Sequence, residues 1–238
     1  MQNKKPIHLD LNICNQELLN MNTLERIEWG YDQFKEGFAF TTSFGIQSSV
    51  LLHLVQNSQL KNKVRILWID TGYLPPETYL YAKQLTNLLS LKIDVLQSNL
   101  SPARMEAIYG KLWENENSGD LDLYHKLRKI EPLEKGLRKY SINCWVSGVR
   151  AQQTDNRSKM KIIHKIRNRF AFRPMLGWTN KEIFYYMKDN NLPQHPLFIK
   201  GYSTVGDWHS SSPDNINNEG RSTRFGGMKQ ECGIHTEN

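Results

Sequence analysis

A chain of 238 residues with 39% hydrophobic and 11% aromatic side chains can build one large α/β domain with appendages. No run approaches the ~18 apolar residues of a membrane span, and the polar start Met1-Gln2-Asn3-Lys4-Lys5-Pro6 carries no apolar signal core; the sequence predicts a cytoplasmic protein, neither secreted nor membrane-bound. The net charge of +7 is uneven, since His125–Arg173 holds fourteen Lys and Arg against three acids, and this fits an anionic partner or a solvated basic face.

Leu18, Leu19, Met21, Leu24, Ile27 and Trp29 recur at helical spacing and predict one N-terminal helix over Asn15–Phe34. Phe38–Thr42 reads as a strand, followed by a Ser/Gly turn and a helix over Gln47–Val55. Val64–Ile69 is a second strand, ending in Asp70-Thr71-Gly72, and Pro76–Leu89 is helical. Leu91–Leu96 is a third strand, after which Ser101 caps a helix with Pro102 at its first position. Pro132 opens a helix ending near Tyr140, Ile142–Ser147 is a buried strand, and Phe170–Pro174 is a further strand. Thr179-Asn180-Lys181-Glu182 is a capping box before a helix over Ile183–Asp189. Strands alternating with helices at this spacing predict a doubly wound parallel sheet. From Leu192 to Asn238 periodicity disappears and Gly, Ser, Asn and His dominate, so this stretch reads as an irregular tail. The organisation expected is a helical segment over 1–36, an α/β domain over 37–191 and a tail over 192–238.

Three segments carry candidate chemistry. Ser43-Phe44-Gly45-Ile46-Gln47-Ser48 joins the first strand to its helix, either as an ordinary turn or as a cradle whose N–H groups meet an anion at the helix start. It is similar to the PP-loop of adenine-nucleotide enzymes, but Gln47 stands where those have an Asp. Cleaving pyrophosphate from ATP needs a carboxylate there to help place Mg²⁺, so the loop suits holding an adenylate without hydrolysing ATP. Asp70-Thr71-Gly72 falls at the carboxyl end of the second strand, where open sheets bind ligands, and Pro76 starts a helix just beyond. In the tail, Cys232 lies among Gly and polar residues, with Arg224, Lys229 and His235 near in sequence to lower its thiol pKa; it is a reactive thiol or an idle exposed one. Cys14, Cys144 and Cys232 are too few for a four-thiolate metal site, and their odd, scattered set fits a reducing compartment. Trp68, Trp113 and Trp145 are expected in the core; His195 and His209 are further candidates for a functional role, against which a histidine followed by proline, as His195 is, is expected to pack.

Taken in order, these segments resemble the phosphoadenylyl-sulfate reductase family of sulfate assimilation, over about Phe38 to His235. Besides Ser43–Gln47 and Asp70–Tyr79, the match includes Lys129-Ile130-Glu131-Pro132-Leu133, Gly148-Val149-Arg150 through Arg157, and His195-Pro196-Leu197 with Gly201–Asp207. It closes on Glu231-Cys232-Gly233-Ile234-His235. Ala151 stands where the family has a second arginine, and Thr154 where it has a serine. One branch of the family holds an iron–sulfur cluster on four thiolates; here Tyr124 and His125 occupy the place of the first Cys pair. The resemblance therefore implies the cluster-free branch, with no metal or cofactor and the 3′-phosphorylated substrate. It implies that Cys232 attacks the sulfuryl group of 3′-phosphoadenylyl sulfate, that adenosine 3′,5′-bisphosphate leaves, and that thioredoxin or glutaredoxin releases sulfite from the S-sulfocysteine. Ser43, Phe44, Gly45, Gln47, Asp70, Thr71 and Gly72 would hold the adenylate. Lys129, Arg150 and Arg157 would meet phosphate and sulfate oxygens, with Arg224, Lys229 and His235 closing over them. A homodimer serving cysteine and hydrogen sulfide biosynthesis, binding neither nucleic acid nor membrane, completes the expectation. Two other readings are an ATP-cleaving adenylyltransferase, which Gln47 opposes, and a nucleic-acid-binding module, which leaves the cysteine tail without a role.

Overall fold

Six strands form a single sheet in the order β3-β2-β1-β4-β6-β5, in a computed structural model that describes residues 8–114, 118–227, 231, 233 and 234. β1 (Phe38–Thr42), β2 (Arg65–Ile69), β3 (Ile93–Leu96), β4 (Cys144–Val146) and β6 (Arg169–Phe172) run parallel, and β5 (Ile163–Ile166) pairs antiparallel with β6 at one edge. This is the doubly wound α/β sheet expected, with one strand the sequence reading misses. β5 and β6 form a hairpin over Arg167 and Asn168, both at positive φ (+47° and +62°). That is the turn geometry in which Gly or Asn-Gly is usual; Arg-Asn gives a weaker signal, and the hairpin stays hidden in a basic stretch.

Side chains alternate across the sheet as the period of two requires. Phe38, Phe40, Ile66, Cys144, Val146, Phe170 and Phe172 face one layer; Ala39, Leu67, Leu96, Trp145 and Ala171 face the other. The first layer is closed by α1 (Leu11–Leu19), α2 (Thr23–Phe34), α3 (Ser48–Gln56), α4 (Pro76–Leu88) and α9 (Asn180–Asp189), through residues such as Leu18, Ile27, Val50, Tyr81 and Ile183. The second is closed by Leu133 and Leu137 of α7 (Glu131–Lys139) and by Ile234 of the tail. A satellite cluster joins Met105 of α5 (Pro102–Tyr109), Leu121 and Tyr124 of α6 (Ser118–His125), Trp113 and Phe225.

The N-terminal region is two helices rather than one. Asn22 accepts the Glu25 N–H at 3.0 Å and the Glu25 carboxylate accepts the Asn22 N–H at 2.7 Å, a capping box that restarts the helix. The Pro132 helix is longer than its proline suggests. α6 passes through one π-helical turn, Lys126–Ile130, into α7. Pro132 has no N–H for the carbonyl four residues back, and the ladder slips there. The slip buries two consecutive basic residues, Arg128 and Lys129. After α9 the described tail carries no α-helix or strand, only 3₁₀ segments at Phe198–Lys200, Trp208–Ser210 and Gly220–Gly227. No helix among the described residues is long and apolar enough to cross a membrane.

Candidate active site

Parallel strands end at one edge of the sheet, and the loops beyond them form a cavity of about 220 Å³. β1 runs into Ser43-Phe44-Gly45-Ile46-Gln47. Phe44 adopts a left-handed φ of +49°, donating its N–H to Thr42 Oγ1 at 3.1 Å, and its buried ring meets Trp68 edge-on at 4.9 Å. Phe44 therefore shapes the turn from the core side, while Ser43, Gly45 and Gln47 line the cavity. Further lining comes from Ser147-Gly148-Val149-Arg150 after β4, from Ser203-Thr204-Val205, and from Arg221 and Ile234 of the tail. The buried Ser147 hydroxyl has no hydrogen-bond partner among the described residues. Through Gln47, Arg150, Gln153 and Arg221 the cavity continues into a groove of about 860 Å³, which Ala151 also lines.

Guanidinium groups dominate the electrostatics. Arg150 donates Nη2 to Gln47 Oε1, so the position that carries Asp in ATP-cleaving relatives of the loop here holds an arginine in place. Arg157 (on α8, Asp155–Ser158) forks onto Glu231, with Nε to Oε1 and Nη2 to Oε2 both at 2.8 Å. Thr154 Oγ1 donates to the same carboxylate at 3.0 Å, and Arg221 Nη2 lies 3.8 Å from it. Arg173 is buried behind them, 1% exposed. Burial first, and then the charge of Arg157, pushes the Arg150 and Arg173 pKa values down to about 10. Burial alone would raise the Glu231 carboxyl, but hydrogen bonding and charge from Arg157 outweigh it and hold the pKa below its ordinary value. Arg157, Arg173 and Arg221 share the one carboxylate of Glu231, and with Arg150 on the same lining they leave a positive excess that suits an anionic ligand.

Asp70, Thr71, Gly72, Lys129 and Arg224 stand outside the cavity lining, in a second node centred on Asp207. Lys129 Nζ pairs with Asp207 Oδ2 at 2.6 Å, with both side chains buried, and Thr71 Oγ1 donates to Asp207 Oδ1. Burial would raise the Asp207 carboxyl, yet the Lys129 charge and the bonds from Lys129 and Thr71 keep it far below the usual carboxylate range. Arg128 donates Nε to the Thr71 carbonyl at 2.8 Å and Nη1 to the Leu100 carbonyl at 2.6 Å. Asp70 accepts from the Gly72 N–H at 2.9 Å, Tyr79 Oη at 2.7 Å and Gln97 Nε2 at 2.8 Å. Gly72 sits at φ +75°, where a Cβ would come within 2.7 Å of Pro102 and 2.9 Å of Arg128. A Cβ on Gly206 would overlap the Arg224 guanidinium, which donates to Ser210 Oγ at 2.8 Å and Ser211 Oγ at 3.2 Å. His209 stacks on Trp113 at 4.0 Å; burial, ahead of the neighbouring charges, lowers its pKa to about 4. His195 packs on Tyr81 and bonds Thr78 Oγ1 at 3.0 Å. Trp113 and Trp145 are core residues, and Trp68 is partly buried against the core.

Cys232, Lys229 and His235 lie outside the described residues. Their neighbours Glu231 and Ile234 reach the site. Sequence reasoning gave no role to Ser147, Asp207, Arg221 or Glu231, although Asp207 and Glu231 stand inside the quoted Gly201–Asp207 and Glu231–His235 segments.

The phosphoadenosine phosphosulfate reductase domain matches residues 37–213. The chain belongs to this family. It is 48% identical to the phosphoadenosine 5′-phosphosulfate reductase of a Synechococcus strain, over 93% of this chain and 95% of that one. It is 40% identical to the reductase of the same name from Vibrio cholerae, over 99% and 92% of the two chains. The crystal structure of phosphoadenylyl-sulfate reductase from Candida auris, a phosphate complex, superposes with a TM-score of 0.73 at 22% identity, over 87% of this chain and 99% of that one. The FMN adenylyltransferase of Candida glabrata gives 0.59 at 15% identity, over 87% and 68%. The last two similarities concern the fold alone, which this reductase-family chain shares with nucleotide-binding enzymes. Membership makes it an oxidoreductase acting on a sulfur group.

Proposed function

We propose that the chain reduces 3′-phosphoadenylyl sulfate to sulfite, with Cys232 as the nucleophile and a dithiol protein as reductant. The observation that carries the proposal is the meeting of two features at one cavity: the arginine-rich lining after β1 and β4, and the tail residues on either side of Cys232. Ser43, Gly45, Gln47 and the Ser147–Arg150 loop hold the adenylate. Arg150 and Arg221 offer charge to its phosphates, and Arg157 shares its own charge with Glu231.

In the first step the Cys232 thiolate attacks the sulfur of the sulfuryl group. The S–Sγ bond forms, the bond from sulfur to the phosphate oxygen breaks, and adenosine 3′,5′-bisphosphate leaves with the electron pair. In the second, a thiolate of thioredoxin or glutaredoxin attacks Cys232 Sγ and sulfite departs with two electrons. The reductant's second thiol then displaces the Cys232 thiolate and closes a disulfide. Such a sequence needs no metal. The chain's three cysteines, two of them in the core, cannot provide the four thiolates of a cluster. The resemblance extends the proposal to a homodimer in the cytoplasm, feeding cysteine biosynthesis.

Cys232→Ser should abolish sulfite release while adenosine 3′,5′-bisphosphate still binds. Wild type given substrate without reductant should gain the mass of one sulfo group on the Cys232 peptide. Turnover persisting in Cys232→Ser refutes the assignment.

A further inference from the structure

The segment that carries the proposed nucleophile is fastened on both sides by arginines, and one of these is a residue the sequence assigned to phosphate. On the N-terminal side, Glu231 is clasped by the Nε–Nη2 edge of the Arg157 guanidinium and by Thr154 Oγ1, with Glu231 and Arg157 8% and 5% exposed. On the C-terminal side, Arg167 donates Nη1 to the Gly233 carbonyl at 3.3 Å and Nη2 to the Ile234 carbonyl at 3.1 Å. The Ile234 side chain packs into the core layer containing Trp145 and Leu137. Two parallel charge-assisted bonds fix direction as well as distance. A carboxylate enclosed in this way cannot leave its arginine without stranding a buried charge.

We propose that Glu231 is a positioning residue: its carboxylate, latched by Arg157, sets the tail at the cavity so that the adjacent Cys232 meets the sulfuryl group. Arg157 then serves the tail in the first place, and discrimination of the nucleotide falls to Arg150 and Arg221. The charge balance permits both ligands at once, because Arg150 and Arg221 line the cavity beside the latched pair. The proposal rests on the reductase reading for its catalytic consequence, whereas the latch itself can be tested without turnover.

The test compares wild type, Glu231→Gln, Arg157→Gln and the double variant by three measurements. These are hydrogen exchange of the peptide spanning residues 231–234, the affinity for adenosine 3′,5′-bisphosphate, and single-turnover sulfite release. Glu231→Gln keeps the side-chain shape and should exchange at least tenfold faster in that peptide. It should slow single turnover by tenfold to a hundredfold and change nucleotide affinity by less than twofold. The double variant should be no slower than the worse single one, since both changes remove one interaction. If Arg157→Gln fails to fold, Glu231→Gln alone decides the matter. Unchanged exchange in Glu231→Gln overturns the latch, and so does a nucleotide affinity that falls while exchange stays constant. Faster exchange in an enzyme whose wild type releases no sulfite from the nucleotide would leave the latch standing and refute the reductase reading.

Discussion

Lys129 and Asp207 show how far a residue's neighbours can redirect it. The family resemblance assigns Lys129 to phosphate and sulfate oxygens; in the fold its ammonium is matched to a buried carboxylate at 2.6 Å, with Thr71 as third partner. The pair joins the π-helical turn to the tail loop, so it ties residues 78 positions apart. Removing one member leaves the other charged and buried, which typically costs about 3–5 kcal/mol. Asp207→Asn should therefore lower unfolding free energy by about that much in a urea titration. Asp207→Asn combined with Lys129→Met should recover a large part of it, because the stranded ammonium is gone. Equal losses in the single and double variants would refute the pair's structural weight. Gln47 is a second redirected residue. Its lack of charge was legible in the sequence, but its bond to Arg150, 103 positions away, was not.

At the scale of elements, local chemistry decided most boundaries. Ser101 and Thr179 cap the helices that the sequence assigned to them, with Ser101 Oγ accepting from the Arg104 N–H at 3.2 Å and Thr179 Oγ1 from the Glu182 N–H at 3.1 Å. The break between α1 and α2 has the same cause, and apolar periodicity concealed it because Leu18, Met21 and Ile27 keep their spacing across the cap. Asn22→Ala should cost about 1 kcal/mol of stability by chemical denaturation, the usual value of an N-cap. A loss below about 0.3 kcal/mol would show that tertiary packing of α2, not the cap, holds the break. The π-helical turn and the β5–β6 hairpin were not legible, since Pro132 reads as a helix start rather than a slip in a longer helix, and Arg167-Asn168 is a weak turn signal within a basic stretch.

Over the whole molecule, the basic segment divides into structural and functional parts. Glu134 alone takes Arg167 at 3.0 Å and Arg169 at 2.5 Å, while Asp207 and Glu231 engage Lys129 and Arg157. The folded state also holds two histidines neutral: burial lowers His195 and His209 to about 4 from 6.5. Between those values the unfolded chain binds more protons than the folded one, so stability falls as the pH drops from 7 towards 4. Below about 4 both states are protonated and this loss stops growing. A fully buried group shifted this far accounts for about 3 kcal/mol, and His209, with some solvent contact, for less. The depressed carboxyls Asp207 and Glu231 add to the loss from about pH 5 downward, where the unfolded chain takes up their protons and the folded chain does not. The urea midpoint should therefore fall between pH 7 and pH 5, and His195→Gln should flatten that fall.

The sequence by itself determined the alternation of strands and helices, the two-faced sheet core, the turn after β1 and the family. Those features rest on periodicity, caps and short ordered motifs, all of which act within a few residues. The tertiary structure decided which charged groups face a cavity and which neutralise each other. The pairs Arg157–Glu231 and Lys129–Asp207 form only when the irregular tail crosses the ends of the strands. A charge in a chain has no partner until the fold brings one within a few ångströms and excludes water from both, and spacing in sequence does not encode that distance.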